Sequence, residues 1–151
     1  MSEQSASYWN PSIPEAVRAS FACQGAMSLI KASMPVVEQG RVEIHLPHWD
    51  GVGQQHGFVH GGVVGMIADS AGGYAAMTVA PEGSSVLSVE YKLNFLAPAK
   101  GTMLIARGSV IKAGRRLIIT EAKVWAREGT EERLCAVMQQ TIMAVSEPER
   151  A

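Results

Sequence analysis

One segment limits the possible folds more than any other. From Gly61 to Val79 the chain is apolar or small nearly all round a helical wheel, with a single carboxylate, Asp69, in the middle. A helix without a polar stripe has to be buried on most sides. The chain beyond it reads as strands. Leu87, Val89, Tyr91, Leu93 and Phe95 alternate with Ser88, Glu90, Lys92 and Asn94, the clearest period of two in the chain. Three more strands are predicted over Thr102–Lys112, Arg116–Arg127 and Arg133–Val145, joined as hairpins at Ala113-Gly114 and at Glu128-Gly129-Thr130. Before the helix, Val42, Ile44 and Leu46 predict one strand, and Pro47 to Gly57 a loop. Ser12 and Glu15 have capping-box spacing with Pro14 in the first turn. They predict a helix from Pro14 to Phe21 and a second short helical piece ending by Ala32. The order is short helices, strand, long helix, four strands. This is an α+β pattern in which one mainly antiparallel sheet wraps one long central helix.

Composition narrows the function classes. The chain has 151 residues, 47% hydrophobic and 18% charged, which suits one folded domain with a full core. A formal net charge of -1 argues against a general nucleic-acid binder. No apolar run approaches the roughly 18–20 residues needed to span a bilayer, and the N-terminal residues lack a basic region followed by an apolar block. A cytoplasmic protein with two reduced thiols, Cys23 and Cys135, is expected. His45, His48, His56 and His60 fit no zinc-ligand spacing, so no metal is expected. Several late strands are apolar on both faces, with Leu134, Ala136, Met138 and Ile142 opposed to Cys135, Val137, Met143 and Val145. The chain has no spare helix to cover the second face, so an oligomer is expected. Ser146 to Ala151 reads as a solvated tail.

The chemistry concentrates around the long helix. An isolated acid on a buried helix is costly unless something pairs or uses it. Gly61-Gly62 at the helix start offers bare backbone N–H groups to an anion or a developing oxyanion. Together they suggest acyl chemistry. Gly62 and Asp69 lie seven residues apart on nearly the same side of the helix, about 10.5 Å along its axis. If they cooperate, they come from different subunits. Gly65, Asp69, Gly72 and Ala76 form one stripe of small residues around the acid. The same residues admit a plain reading: close packing for the stripe, a hydrogen-bonded structural acid for Asp69, and a cap or interface residue for His60.

At these positions the sequence resembles a known family. Gly57-Phe58-Val59-His60-Gly61-Gly62, leading into a helix that carries Ala68-Asp69-Ser70-Ala71, is similar to the signature of hotdog-fold acyl-CoA thioesterases of the phenylacetic-acid-degradation (PaaI-like) type. Leu87 to Ala99, with its Asn94-Phe95-Leu96-Ala97-Pro98 ending, resembles the strand after that family's helix, and Gly114-Arg115-Arg116 resembles a turn between its later strands. The resemblance implies a five- or six-stranded antiparallel sheet around the helix. It implies homodimers with active sites at the subunit interface, paired into dimers of dimers. It also implies an acyl-CoA substrate, small aryl or medium-chain, and no cofactor beyond the coenzyme A that the substrate carries.

Carried over, Asp69 activates water or attacks the thioester carbon, and the N–H of Gly62, or of Gly61 beside it, holds the thioester oxygen. His60 positions the turn or the substrate. Gln54 falls where many members carry Asn, keeping an amide on a longer arm. Ser88 falls where members carry a hydroxyl that orients water, although simple alternation puts it on the same face as Glu90 and Lys92. Arg115 and Arg116 would meet coenzyme A phosphates. Phe58, with Phe21, Met27, Met34 and Met66, would line an apolar pocket or belong to the core. No Gly-x-Ser-x-Gly elbow is present, which argues against a Ser-His-Asp mechanism. The alternatives within this frame are a hotdog hydratase acting on acyl thioesters and a non-catalytic acyl-CoA-binding or sensing protein.

Overall fold

A computed structural model describes residues 9–146. All of the tail expected over Ser146 to Ala151 except Ser146 itself lies outside them. The elements are α1 (Ile13–Ala22), α2 (Gly25–Leu29), β1 (Ser33–Glu38), β2 (Arg41–Pro47), α3 (Gly61–Met77), β3 (Ser84–Phe95), β4 (Met103–Ala113), β5 (Leu117–Glu128) and β6 (Glu131–Ser146). A single 3-10 turn, Asp50–Val52, interrupts the loop between β2 and α3. The six strands form one antiparallel sheet in the order β1-β2-β4-β5-β6-β3. The sheet curls around α3, as in the hotdog fold.

Two details of the N-terminal region differ from expectation. Ser12 is in a helical conformation and its side chain caps no backbone N–H of α1. The carboxamide of Asn10 instead engages Ser12 itself, accepting from its N–H at 3.0 Å. A sixth strand, β1, also precedes the expected first one. Its six residues contain Pro35, and its pairing with β2 shifts register between Ser33 and Val36. A short, proline-bearing edge strand carries little periodic signal.

Helix α3 is buried along most of its length, through Val64, Ile67, Ala68, Ala71, Gly72, Ala75 and Ala76 among others. Ile44, Leu46, Leu104 and Ile142 meet it from the sheet, each at most 1% exposed. Side chains of this kind contribute about 1.5–3 kcal/mol each when fully buried. Small residues let helix and sheet approach closely. A Cβ at Gly108 of β4 would lie 2.3 Å from the backbone of Ala71, so strand and helix touch main chain to main chain there.

Apolar surface is left over in a different place from the one expected. The inner row of β6, Ala136, Met138, Gln140 and Ile142, is buried against the helix, while Val137, Met143 and Val145 on its outer side are half-buried. The exposed apolar residues concentrate on β3, an edge strand of 12 residues. Leu87, Val89, Tyr91 and Phe95 are each more than half exposed there. A long apolar edge strand is a template for pairing with another strand.

Candidate active site

Strand β3 carries a β-bulge that sets the site. Ser88 pairs with Ile142, and the next pair along is Glu90 with Thr141, so Val89 is an extra residue. The bulge breaks the alternation. Ser88 faces the helix beside buried Ile142. Glu90 faces the other side, where its Oε1 accepts from Thr141 Oγ1 at 3.1 Å. The expectation that Ser88 shares a face with Glu90 and Lys92 is therefore corrected. Beyond the bulge, Tyr91, Leu93 and Phe95 face the helix, opposite Gln140, Met138 and Ala136.

Asp69, half-buried in mid-helix, meets Ser88 across this gap. The Ser88 hydroxyl donates to Asp69 Oδ1 at 2.6 Å. A second donor, which sequence reasoning missed, is Gln140 of β6. Its Nε2 donates to the same Oδ1 at 2.9 Å and to the Asp69 carbonyl oxygen at 3.4 Å. No described residue bonds Oδ2. The only trace of Gln140 in the sequence is a polar residue on the otherwise apolar inner row of β6.

The carboxylate opens into a cleft of about 280 Å³ lined by Ser20, Gln24, Tyr74, Met77, Val86 and Ser88 among others. Helix α1 roofs it. The Ser20 hydroxyl and Tyr74 hydroxyl are 3.2 Å apart, and Phe21 stacks edge-on against the Tyr74 ring at 5.9 Å. Burial pushes the Tyr74 phenol above its ordinary value, so it stays a neutral hydrogen-bonding group.

The helix start forms a second, separate region. His60 is the N-cap of α3, and its Nδ1 accepts from the Gly62 N–H at 2.8 Å. That bond occupies the N–H first assigned to an oxyanion. The Gly61 N–H has no acceptor among the described residues. A Cβ at Gly61 would lie 3.1 Å from the ring of Phe95. Around it runs an open groove of about 400 Å³, lined by Gln54, Phe58, Gly61, Phe95, Leu96 and Pro98 among others. Gln54 is tied into its own turn: its Oε1 accepts from the His56 N–H, and its backbone N–H donates to the Phe58 carbonyl at 2.8 Å. Gly61 and Asp69 are eight residues apart on one helix, about 12 Å along the axis, so within one subunit the carboxylate and this N–H lie in separate regions.

The remaining candidates scatter. Arg115 and Arg116 are exposed on the β4–β5 turn and line neither the cleft nor the groove. Met27 and Met34 are core residues, Phe58 lines the groove and Met66 is 36% exposed on α3. Among the described residues no cluster of His, Cys, Asp or Glu could hold a metal ion. No helix among them is long and apolar enough to cross a membrane.

Comparison with known proteins agrees with the fold. The thioesterase superfamily model matches residues 56–133, from the turn before α3 to the start of β6. A crystal structure of a thioesterase family protein from Silicibacter pomeroyi superposes with a TM-score of 0.87 at 42% identity, covering 89% of this chain and 98% of that one. A 1,4-dihydroxy-2-naphthoyl-CoA hydrolase of Listeria monocytogenes is 27% identical over 111 residues, 74% of this chain and 89% of that protein. The Escherichia coli PaaI protein from the phenylacetic acid degradation operon shares the fold, with a TM-score of 0.79 at 14% identity over 89% of this chain and 94% of that one.

Proposed function

The chain belongs to the thioesterase superfamily, a family of thioester hydrolases, and we propose that it hydrolyses acyl-CoA thioesters in a site shared between two copies of itself. The observation that carries this reading is Asp69, which lines a cleft, with Oδ1 held by two donors and Oδ2 bonded by no described residue. A carboxylate so placed is suited to take a proton from water or to attack the thioester carbon. The unpartnered N–H of Gly61, at the positive end of α3, is suited to hold the thioester oxygen as charge develops on it, with His60 fixing the turn through Gly62. A donor of this type is worth on the order of 10²–10³ in rate.

The two half-sites come together if β3 pairs with β3 of a second copy. Antiparallel pairing about a two-fold axis between Tyr91 and Lys92 brings Ser88 of one copy opposite Phe95 of the other. The Asp69 cleft of one subunit then adjoins the Gly61 groove of its partner. The same pairing covers part of the exposed apolar surface of β3. In this arrangement Gln54 and Phe58 border the thioester, and Arg115 and Arg116 are free to meet coenzyme A phosphates. The cleft, part apolar and part hydroxylated, suits a small aryl or medium-chain acyl group.

The test is release of free thiol from a panel of aromatic and straight-chain acyl-CoAs, with Asp69→Ala alongside. Release by the wild type and none by the variant supports the reading. Full activity in the variant removes Asp69 from it, and tight acyl-CoA binding with no release points to a binding protein.

A further inference from the structure

We propose that Gln140 is the positioning residue for Asp69: its Nε2 and the Ser88 hydroxyl converge on Oδ1, which holds the carboxylate in one orientation and leaves Oδ2 as the reacting oxygen. The inference rests on the thioesterase reading of the Asp69 site.

Three observations carry it. First, the orientation of the amide is dictated by chemistry. Asp69 Oδ1 and the Asp69 carbonyl oxygen both only accept, at 2.9 Å and 3.4 Å, so Nε2 has to face them. One amide thus grips both the side chain and the main chain of a single residue, which restricts rotation of the carboxylate about its own backbone. Second, Gln140 is 2% exposed, and its Oε1 is buried without a partner, as is the neighbouring Thr120 Oγ1. A half-bonded amide in the interior costs stability that a Met or Leu of similar size would not. A residue kept only for packing has no reason to bear that cost. Third, the helix makes room for it. A Cβ at Gly72 would lie 1.6 Å from Gln140 Oε1, so Gln140 reaches Asp69 only because position 72 has no side chain. Gly72 and Asp69 are three residues apart, on the same face of α3. Ser88 and Gln140 reach the carboxylate from two adjacent strands, β3 and β6.

Gln140 touches neither reacting atom, so its effect should fall on turnover and not on affinity. Gln140→Met keeps the length of the side chain and removes the donor. It is expected to lower kcat about 10- to 50-fold, with KM for the best acyl-CoA within about twofold of wild type. Thr120→Val alters the same buried layer without touching Asp69 and is expected to stay within about twofold in both constants. Ser88→Ala combined with Gln140→Met should cost more than the product of the two single losses, because each donor partly covers for the other.

A folded Gln140→Met with wild-type kcat overturns the proposal. So does an equal loss in Thr120→Val, which would mark the effect as packing. Should Gln140→Met fail to fold, Gln140→Leu decides: it fills a similar volume with no hydrogen-bonding group, and wild-type kcat in that variant overturns the proposal while a tenfold or greater loss supports it. If the wild type releases no thiol from any acyl-CoA, the thioesterase reading is what fails. Crystal structures of wild type and Gln140→Met then read the positioning directly. Asp69 is expected to leave its wild-type rotamer in the variant, and an unmoved carboxylate overturns the inference.

Discussion

Gly72 of α3 and Gln140 of β6 stand closer than any other residue type at position 72 would permit: an added Cβ would lie 1.6 Å from Gln140 Oε1 and 2.9 Å from Thr120 Oγ1. Gly72→Ala therefore has to displace the amide or the helix. It is expected to lose about 1–3 kcal/mol of stability, as overpacking does, and to lower turnover with it. At Gly73, one residue on, a Cβ meets nothing within 4 Å. Gly73→Ala should gain up to about 1 kcal/mol from helix propensity. Urea denaturation of the two variants checks the contrast. Equal effects would mean that the close approach at Gly72 is not real.

The β3 edge yields a prediction about assembly. Val89 and Tyr91 are 55% and 52% exposed on a strand with one free edge. Lysines on such an edge oppose pairing with a second copy. The double substitution Val89→Lys and Tyr91→Lys is expected to give a monomer by light scattering and to lower kcat/KM at least about 100-fold, because each half-site then lacks its complement. A variant that is monomeric and fully active would show that one subunit suffices.

Acid stability depends on a cluster on the outer face of the sheet. Arg107 bonds Glu132 through two nitrogens at 2.7 and 2.9 Å and Glu43 at 3.2 Å, and lies 5.7 Å from the Trp125 ring. Burial works to raise the Glu43 carboxyl, but its bond to His45 and the charges of Arg107 and Arg41 outweigh this and hold it below the usual carboxylate range. The bond from Arg107 does the same for Glu132. Carboxyls lowered in the folded state add stability that is present above their unfolded pKa and is lost as pH falls through the folded value. The wild type should therefore lose stability on acidification below about pH 5. Arg107→Met should be less stable at neutral pH, by about 1 kcal/mol once its partial exposure is allowed for. Its stability should also fall less steeply with acid. Chemical denaturation at several pH values reads both, and an unchanged acid slope would remove Arg107 from the explanation.

The two thiols should react very differently. Cys23 is exposed beside the cleft residue Gln24. Cys135 is buried, donates to the Val124 carbonyl at 3.2 Å, and is pushed by burial to a pKa of about 11. A chromogenic disulfide reagent should find one fast thiol in the native protein and the second only after unfolding. Cys23→Ser should remove the fast phase. Two fast thiols would contradict the burial of Cys135.

Much of the architecture was legible because it rests on local periodicity. The run from Gly61, with no polar stripe, could only be a helix wrapped by sheet, and the alternation from Leu87 to Phe95 could only be a strand. Asp69 and the His60-Gly61-Gly62 turn stood out because an acid in an apolar helix and a Gly-Gly at its start are locally anomalous. Strand β1 escaped because Pro35 and a register shift erase the period in six residues. The Ser12 cap was misplaced because the Ser12 hydroxyl is engaged by the Asn10 carboxamide, two residues earlier, and not by an N–H of α1.

What the sequence determined by itself was the kind of protein: one long buried helix, one antiparallel sheet, one conspicuous carboxylate and a glycine turn. Tertiary structure alone decided which side chains meet that carboxylate. Ser88 reaches Asp69 because a bulge at Val89 resets the parity of β3, and a bulge is a matter of register between two strands, which no single strand's pattern records. Gln140 reaches it from 71 residues away because Gly72 lets the helix settle onto β6. Contacts of that separation depend on how whole elements pack, and packing is decided by the sum of many weak contacts that local sequence does not encode.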